Sequence, residues 1–246
     1  MEDITQRQID ILKVIIQEYT ATGEPVGSEV VEKKYKLGIS PATIRNEMVD
    51  LSKKDYLKKT HFSSGRVPSA KGFRFYIKNL MHEKELSTID EVAYKNSIWD
   101  DRTETHRLLS HATKTLAART GLISLSTTSS GDLYYSGVGN LLNKEEFFNL
   151  DLSKSLFELL DEGNFWDGIL RHFYVSEEDI MFMLGEEDFR SPEFESCASI
   201  FGEFEGANIK GIIGVVGPKR MLWDEVMPQV RYISSLLGEI IRQQKA

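Results

Sequence analysis

The stretch Leu37-Gly38-Ile39-Ser40-Pro41-Ala42-Thr43-Ile44-Arg45-Asn46-Glu47-Met48 decides the fold of the N-terminal part of this 246-residue chain. Ser40 is a favourable N-cap and Pro41 suits the first helical position, so the stretch predicts a helix that continues to Lys53. The residues that face inward recur at i, i+4 and i+7, and they are Ile44, Met48 and Leu51. The opposite face is mostly polar and consists of Ala42, Arg45, Asn46, Val49 and Lys53.

Two further amphipathic stretches precede this helix. Apolar residues recur at helical spacing from Thr5 to about Thr22, and Gly23-Glu24-Pro25 ends the pattern. Ser28 can cap a short second helix, in which Val31 and Tyr35 face inward. Three helices with a short turn between the second and third match a helix-turn-helix, whose second element presents its N-terminal residues to the major groove of DNA.

The residues after the third helix predict a winged variant of this motif. Residues 56–60 are predicted to form a short strand, and residues 61–68 a tight loop that returns to a second strand. Ser69 then caps a helix whose inner residues are Phe73, Tyr76, Ile77 and Leu80. A loop of small residues with a terminal arginine suits approach to phosphates and insertion into a minor groove, although an ordinary hairpin remains the alternative. The expected DNA-binding residues are Ser28, Ser40, Pro41, Thr43, Arg45, Asn46, Lys53, His61, Ser63, Ser64, Gly65 and Arg66.

Charge is unevenly distributed along the chain, which carries a formal net charge of −8. Residues 1–82 hold 14 Lys+Arg and 10 Asp+Glu, and within them residues 30–82 hold 12 basic and 4 acidic side chains. The remainder of the chain is therefore strongly acidic. A basic segment on an acidic chain predicts a polyanion-binding module joined to a part with another task, although charge alone fits a solvated face equally well.

Three segments of this N-terminal part closely resemble the HrcA family of bacterial heat-inducible transcription repressors. They are Gly23-Glu24-Pro25-Val26-Gly27-Ser28, the stretch 37–48 quoted above, and Ser64-Gly65-Arg66-Val67-Pro68-Ser69-Ala70-Lys71-Gly72-Phe73-Arg74-Phe75-Tyr76. The resemblance covers nearly all of residues 1–82. It implies a sequence-specific repressor of heat-shock (chaperone) genes that binds an inverted-repeat operator in double-stranded DNA as a homodimer. It also implies that heating relieves repression and that the GroEL chaperonin helps to restore it.

The C-terminal part alternates helix and strand patterns, which predicts an α+β domain around a small antiparallel sheet. A polar connector at 83–104, with room for one helix, separates residues 1–82 from this domain at 105–246. Strand patterns lie at 122–127, 133–139, 180–184, 197–204 and 209–216. Helix patterns lie at 105–119, about 144–149, 154–170 and 227–241. Residues 133–142, 184–187 and 211–221 resemble HrcA here too, which implies a GAF-like domain.

The middle region is shorter than is usual in the resembled family. HrcA proteins carry an inserted dimerisation segment between early strands of the GAF-like domain, whereas here Ser129-Ser130-Gly131-Asp132 joins two strand patterns directly. The chain therefore resembles a shortened form that lacks most of this insert and some neighbouring strands. The dimer contact would then come from the GAF-like domain, the connector or the basic domain. A small domain has little core, so we expect marginal stability and sensitivity to heat.

Motifs that would indicate an enzyme are weak. Residues 137–139 lack the third glycine of a dinucleotide fingerprint, and residues 214–219 lack the spacing of a phosphate loop. His106 and His111 are five residues apart, which separates them around a helix and argues against a shared metal. Carboxylates at 186–188 read as a solvated turn, and the single Cys197 as a buried small hydrophobe. The sequence predicts a protein that is not an enzyme and uses no cofactor or metal.

The remaining features bound the location of the protein and its competing function. Residues 1–7 are polar and lack the apolar core of a signal peptide, and no apolar run is long enough for a membrane span, so we expect a cytoplasmic protein. The alternative function is a ligand-sensing or scaffolding module whose winged helix binds a protein partner. Salt dependence discriminates between them, because DNA binding through Lys and Arg weakens steeply as salt rises.

Overall fold

A computed structural model of the chain describes residues 3–35, 38–60, 65–161, 165–166, 168–169, 179–206 and 209–244. These residues form an α+β structure in two compact units. The first unit is Met1–His82 with Arg220–Trp223, and the second is Glu83–Lys219 with Asp224–Ala246. Residues 83–104, which the sequence predicts as a connector, thus lie in the second unit.

Four helices form most of the first unit, and local capping signals fix where three of them begin or end. They are α1 (Gln6–Thr22), α2 (Ser28–Tyr35), α3 (Pro41–Lys53) and α4 (Ala70–Asn79). Thr5 and Gln8 form a capping box at the start of α1, and Gly23 ends it in the left-handed conformation, with φ 74°. Ser40 caps α3 and Ser69 caps α4, as the sequence predicts. Ser28, expected as a cap, is instead the first residue of α2.

A short antiparallel hairpin separates α3 from α4. Strand β1 (Leu57–Lys59) pairs with β2 (Arg66–Pro68), so that Lys59 lies opposite Arg66. The main chain of Arg66 also forms a bridge to Val26, with two N–H···O hydrogen bonds of 2.9 Å. Strand β2 therefore occupies residues 66–68, which the sequence assigns to the loop, because Arg66 is paired with Lys59 on one side and with Val26 on the other. Residues 61–64 lie outside the described part of the chain.

The interior of the first unit is formed by the inward faces of its helices. Side chains without solvent exposure come from α1, α2, α3 and α4, and they include Ile11, Leu12, Ile15, Val31, Ile44, Leu51 and Phe73. Each such side chain contributes about 1.5–3 kcal/mol when it is removed from water. Glu18, buried on α1, is hydrogen-bonded by Lys34 and Tyr35 at the end of α2, which fixes α2 against α1. The predicted inward stripe of α3 is confirmed.

The second unit contains a five-stranded antiparallel sheet with the order β4-β3-β7-β6-β5. Its strands are β3 (Ile123–Thr128), β4 (Leu133–Ser136), β5 (Ile180–Leu184), β6 (Cys197–Glu205) and β7 (Lys210–Pro218). Its helices are α5 (Thr88–Trp99), α6 (Thr105–Thr120), α7 (Val138–Leu141), α8 (Leu150–Asp161), α9 (Gly185–Phe189) and α10 (Trp223–Gln243). Single 3₁₀ turns occupy Glu145–Phe148 and Pro192–Ser196.

All five strand patterns are present in the sheet, whereas several expected boundaries are wrong. The strand expected at 133–139 ends at Ser136, because Gly137 takes a φ of 84° and starts α7. The helix expected at 144–149 is only a 3₁₀ turn, and α8 begins at Leu150 instead of 154. α9 is an additional short helix where the sequence predicts a solvated turn. Part of the expected helix at 154–170 lies outside the described residues.

Both faces of this sheet are covered, so the second unit has more core than the shortened sequence leads us to expect. On one face, α8 and the two 3₁₀ turns bury side chains that include Ile123, Leu125, Phe147, Leu156, Phe194, Cys197 and Val216. On the other face a Cβ at Gly202 would lie 2.4 Å from Ser234 Oγ, so α10 packs directly on β6. Within the described residues, no helix combines the length and apolar character that a membrane crossing requires.

Candidate nucleic-acid interface

The outward face of α3 carries the polar side chains that the sequence places there. Ala42, Arg45, Asn46, Val49 and Lys53 are all exposed, while Ile44, Met48 and Leu51 on the opposite face are buried. Neither Arg45 nor Asn46 forms a side-chain hydrogen bond or ion pair with another described residue. These two groups have no structural role within the fold, and they can hydrogen-bond an external ligand at little cost.

The first turn of α3 uses its hydroxyl groups to stabilise the helix itself. The N–H of Thr43 donates to Ser40 Oγ at 3.2 Å, and the two hydroxyl oxygens are 3.0 Å apart. Pro41 occupies the first helical position and is exposed. Lys53 is 72% exposed in its side chain and forms a surface ion pair of 3.1 Å with Asp50. Such a pair contributes little, so the ammonium of Lys53 can exchange partners.

Arg66 is half-buried, and its guanidinium is hydrogen-bonded to α3. Its Nε donates to Ser52 Oγ at 3.1 Å, and its Nη1 donates to the carbonyl of Gly65 at 3.1 Å. Ser52 Oγ in turn donates to the carbonyl of Met48 at 2.8 Å. The hydroxyl of Ser52 therefore accepts from the arginine and donates to the helix, so it fixes the direction of the Arg66 side chain relative to α3.

A groove of about 390 Å³ lies between the start of α2, the middle of α3 and the hairpin. Its walls hold three basic side chains and one carboxylate, and the lining residues are Gly27, Ser28, Glu29, Val30, Arg45, Met48, Lys59 and Arg66. The helix N-terminus of α2 adds a partial positive charge at this edge. The basic groups outnumber the acidic one, so the groove favours an anionic ligand.

The groove brings together only some of the predicted site residues. Ser28, Arg45 and Arg66 line it, whereas Ser40, Pro41, Thr43, Asn46 and Lys53 lie elsewhere on α3 or at its start. His61, Ser63 and Ser64 lie outside the described residues. Lys59 is not among the predicted site residues, although its pairing opposite Arg66 places it in the groove. Lys59 forms no ion pair with another described residue, so its charge is available.

Gly65 has a structural role that differs from the expected one. Gly65 is one of the residues expected to contact DNA. In the structure Gly65 is buried, and a Cβ at this position would lie 2.9 Å from the carbonyl carbon and oxygen of Pro25. Real Cβ atoms essentially never come so close to main-chain atoms, so a side chain would displace Arg66 from Val26 and Ser52.

In the second unit, His106 and His111 each contact a neighbouring side chain, and Cys197 is buried. His106 Nδ1 lies 2.6 Å from the hydroxyl of Tyr134, whereas His111 contacts the buried carboxylate of Asp101. Burial raises the pKa of the Cys197 thiol far above its ordinary value, which disfavours the thiolate. Across the described residues, no group of three or more His, Cys, Asp or Glu side chains is placed to hold a metal ion.

Comparison with known proteins gives concordant results. The family model described as the HrcA protein C-terminal domain matches residues 43–227. A "Heat-inducible transcription repressor HrcA" of Carboxydothermus hydrogenoformans is 28% identical over 339 positions, which cover 97% of this chain and 98% of that protein. A protein of the same name from Clostridium perfringens is 48% identical over 97 residues, 39% of this chain and 29% of its own length.

The 339-position alignment is longer than this 246-residue chain, so the relative contains residues that have no counterpart here. The fold itself matches a crystal structure of a hypothetical protein over 99% of this chain and 100% of that one, with a TM-score of 0.83 at 18% identity. The family model spans most of the chain, from α3 of the first unit into α10 of the second. The chain therefore belongs to the HrcA family.

Proposed function

We propose that this chain is a sequence-specific DNA-binding repressor of heat-shock genes that binds an inverted-repeat operator. The observation that carries the proposal is the groove beside α3, where Arg45, Lys59 and Arg66 converge around an exposed helix face. We infer that α1–α3 and the β1–β2 hairpin form a winged helix-turn-helix. The relatives are named as heat-inducible transcription repressors, which supports the same conclusion.

In this proposal α3 enters the major groove with Arg45 and Asn46 on base edges. A guanidinium pairs bidentately with guanine and a side-chain amide with adenine, and each good contact contributes about 1–3 kcal/mol of discrimination. Both side chains are exposed and unpaired within the described residues, as a base-reading group must be. Thr43 lies beside them in the first turn, where its hydroxyl already serves the Ser40 cap.

The hairpin supplies the contacts that position the protein without reading sequence. Arg66 and Lys59 face the same groove from paired strands, and phosphate contacts are made mainly by such side chains. Ser28 and the N-terminus of α2 suit a further phosphate. Lys53 and the residues of the 61–64 segment complete the proposed interface, with the glycine at 65 holding Arg66 in place.

A measurement of binding against salt tests this function. A fluorescent duplex with the inverted repeat from the genomic region upstream of a chaperone operon is titrated with the full chain, and a scrambled duplex serves as reference. We expect the repeat to bind at least about 10³-fold more tightly, with affinity falling steeply as salt rises. Lys154→Ala, which removes one exposed positive charge from α8, is the matched control and should leave binding unchanged. Equal, salt-insensitive affinity for both duplexes would refute the proposal.

Heat regulation is proposed together with this function. The second unit has a sheet covered on both faces, so release of DNA by melting requires that a substantial core unfold. Operator binding and the circular dichroism signal are followed on the same temperature ramp. Release that coincides with unfolding supports melting, and recovery of binding accelerated by GroEL would support the chaperonin as partner. Release well below unfolding would assign the sensor to a change within the folded dimer.

A further inference from the structure

Helix α5 leaves one of its two faces without a partner among the described residues. Its inner face is fixed to the second unit: Tyr94 and Ile98 have no exposure, and the hydroxyl of Tyr94 donates to Gln229 at 2.7 Å. Its outer face exposes Ile89 at 81%, Val92 at 51% and Trp99 at 37%. Large apolar side chains that recur along one exposed helix face mark an interaction surface.

The spacing of these residues follows the seam of a paired helix. Ile89, Val92, Asn96 and Trp99 recur at i, i+3, i+7 and i+10, the a and d positions of two successive heptads. We call these four residues the α5 stripe. Asn96 is the one polar member, and a single asparagine at an a position is the usual device that fixes register and the number of strands. Its amide would be left without a partner against an apolar surface, but not against a second Asn96.

We propose that the α5 stripe is a homodimer contact in which α5 of one copy packs parallel to α5 of a second copy. In that arrangement Ile89 meets Ile89, Val92 meets Val92 and the two Asn96 amides hydrogen-bond each other. Lys95 and Asp100 occupy positions g and e, which pair between chains in a parallel dimer. Both are exposed, and neither has an ionic partner among the described residues of its own chain. The charges therefore complement a second copy of this same helix.

The end of the stripe is preordered for this contact. The Trp99 ring lies 4.9 Å from Lys95 Nζ and 5.1 Å from the Arg102 guanidinium carbon, and Arg102 also donates to the Trp99 carbonyl at 2.9 Å. Beside it is a groove of about 380 Å³ lined by Trp99, Arg102, Thr103, Ile240, Gln243 and Gln244. This recess gives two facing indole rings room to pack offset. A side chain that is already held loses less conformational entropy on association.

The size of the contact sets its strength. A helix of 12 residues is about 18 Å long, which is shorter than a free-standing coiled coil. α5 is already folded by its packing through Tyr94 and Ile98, so the helix need not form on association. The contact falls at the small, weak end of specific interfaces, where dimer and monomer exchange with concentration. The choice of a second copy as occupant rests on the proposed function, because reading an inverted repeat requires two half-site binders.

The test is the mass of the full chain in solution, measured by sedimentation over a concentration series without DNA. We expect a dimer that Ile89→Asp converts to a monomer, whereas Leu150→Asp, equally exposed at 82% on α8, should remain dimeric. Circular dichroism should show the same fold for both variants. A monomeric wild-type chain at every concentration, or dimerisation that Ile89→Asp leaves intact, would overturn the proposal.

Orientation is tested by oxidative cross-linking. Ile89→Cys should cross-link to itself in a parallel pair, because the two Cα atoms of an a layer lie within disulfide range. Leu150→Cys should not cross-link, and the native Cys197 is buried and does not interfere. An Ile89→Cys dimer that fails to cross-link would overturn the parallel geometry. Binding of Ile89→Asp to a single half-site separates the two proposals. If this variant still binds a half-site, its defect lies in dimerisation alone. A wild-type chain that forms the dimer but binds no DNA would refute only the repressor function.

Discussion

Two helices of this chain present outward faces of opposite chemistry. The outward face of α3 carries Arg45, Asn46 and Lys53, whereas that of α5 carries Ile89, Val92 and Trp99. The inward faces of both helices are alike, since each buries apolar side chains in its own unit. Packing into the core accounts for the residue types on the inward faces, so the residue types on the outward faces indicate which partners each helix binds. Cationic and amide groups suit a polyanion with readable edges, and an apolar stripe suits another protein surface.

A substitution on the buried face of α3 should have the largest effect on the stability of the first unit. Ile44→Ala removes a side chain with no exposure and should destabilise the first unit by about 2–5 kcal/mol, because it leaves a cavity. Val49→Ala on the outward face of the same helix should change stability by about 0.5 kcal/mol or less. Hydrogen exchange of the α3 amides measures both. Similar protection in the two variants would contradict the assignment of the faces.

A substitution on the outward face of α3 should instead change DNA binding and leave stability unaltered. Arg45→Ala should leave the stability of the first unit unchanged but reduce the preference for operator over scrambled DNA, by about 1–3 kcal/mol. Lys53→Ala, which removes the same charge at the other end of the helix, should lower both affinities together. Anisotropy titrations with the two duplexes distinguish these outcomes. If Arg45→Ala weakens both duplexes equally, Arg45 is a phosphate contact.

On the outward face of α5, an apolar substitution should strengthen self-association. Asn96→Ile should tighten self-association by about fivefold, because an apolar pair replaces an amide pair that costs about 1 kcal/mol to desolvate. The same variant should lose strict orientation, and therefore cross-link in more than one register. Sedimentation measures the first effect. Weaker association of Asn96→Ile would show that Asn96 makes a stabilising contact of a different kind.

The smallest expected effect is in the hairpin. Arg66→Ala should weaken binding to every DNA sequence and reduce the salt slope by about one charge. The stability of the first unit should fall slightly as well, since Arg66 Nε donates a hydrogen bond to Ser52 Oγ. Ser52→Ala keeps the charge but releases the guanidinium, so it should lower affinity and leave the slope as it is. An unaltered slope in Arg66→Ala would place Arg66 away from the phosphates.

Much of the fold follows from local signals in the sequence. The cap at Ser40, the proline at 41 and the inward stripe of α3 depend only on neighbouring residues, and the structure agrees with each. The strand patterns of the second unit were located for the same reason, because alternation is visible within a few residues. The ends of strands and helices were predicted less accurately. For example, β4 ends before Gly137, and no local pattern in the sequence predicts that change of backbone direction.

The expected interface was less completely determined than the fold. Arg45 and Arg66 were predicted from their positions in a motif, whereas Lys59 was not, because only strand pairing places it opposite Arg66 in the same groove. Gly65 was assigned to DNA, although the reason for a glycine is its contact with Pro25, a residue far away in the sequence. The α5 stripe was also missed. Residues 83–104 read as a polar connector until the burial of Tyr94 and Ile98 separated an inner face from an outer one.

By itself the sequence determined the family resemblance, the positions of α3 and the sheet strands, and the basic character of the first 82 residues. These depend on composition, capping and periodicity, which act over a few residues. Tertiary structure alone decided which cations share a groove, which glycine packs against the main chain and which face of α5 is left open. Those properties depend on residues that are distant in the chain and adjacent in space, so no local pattern can contain them.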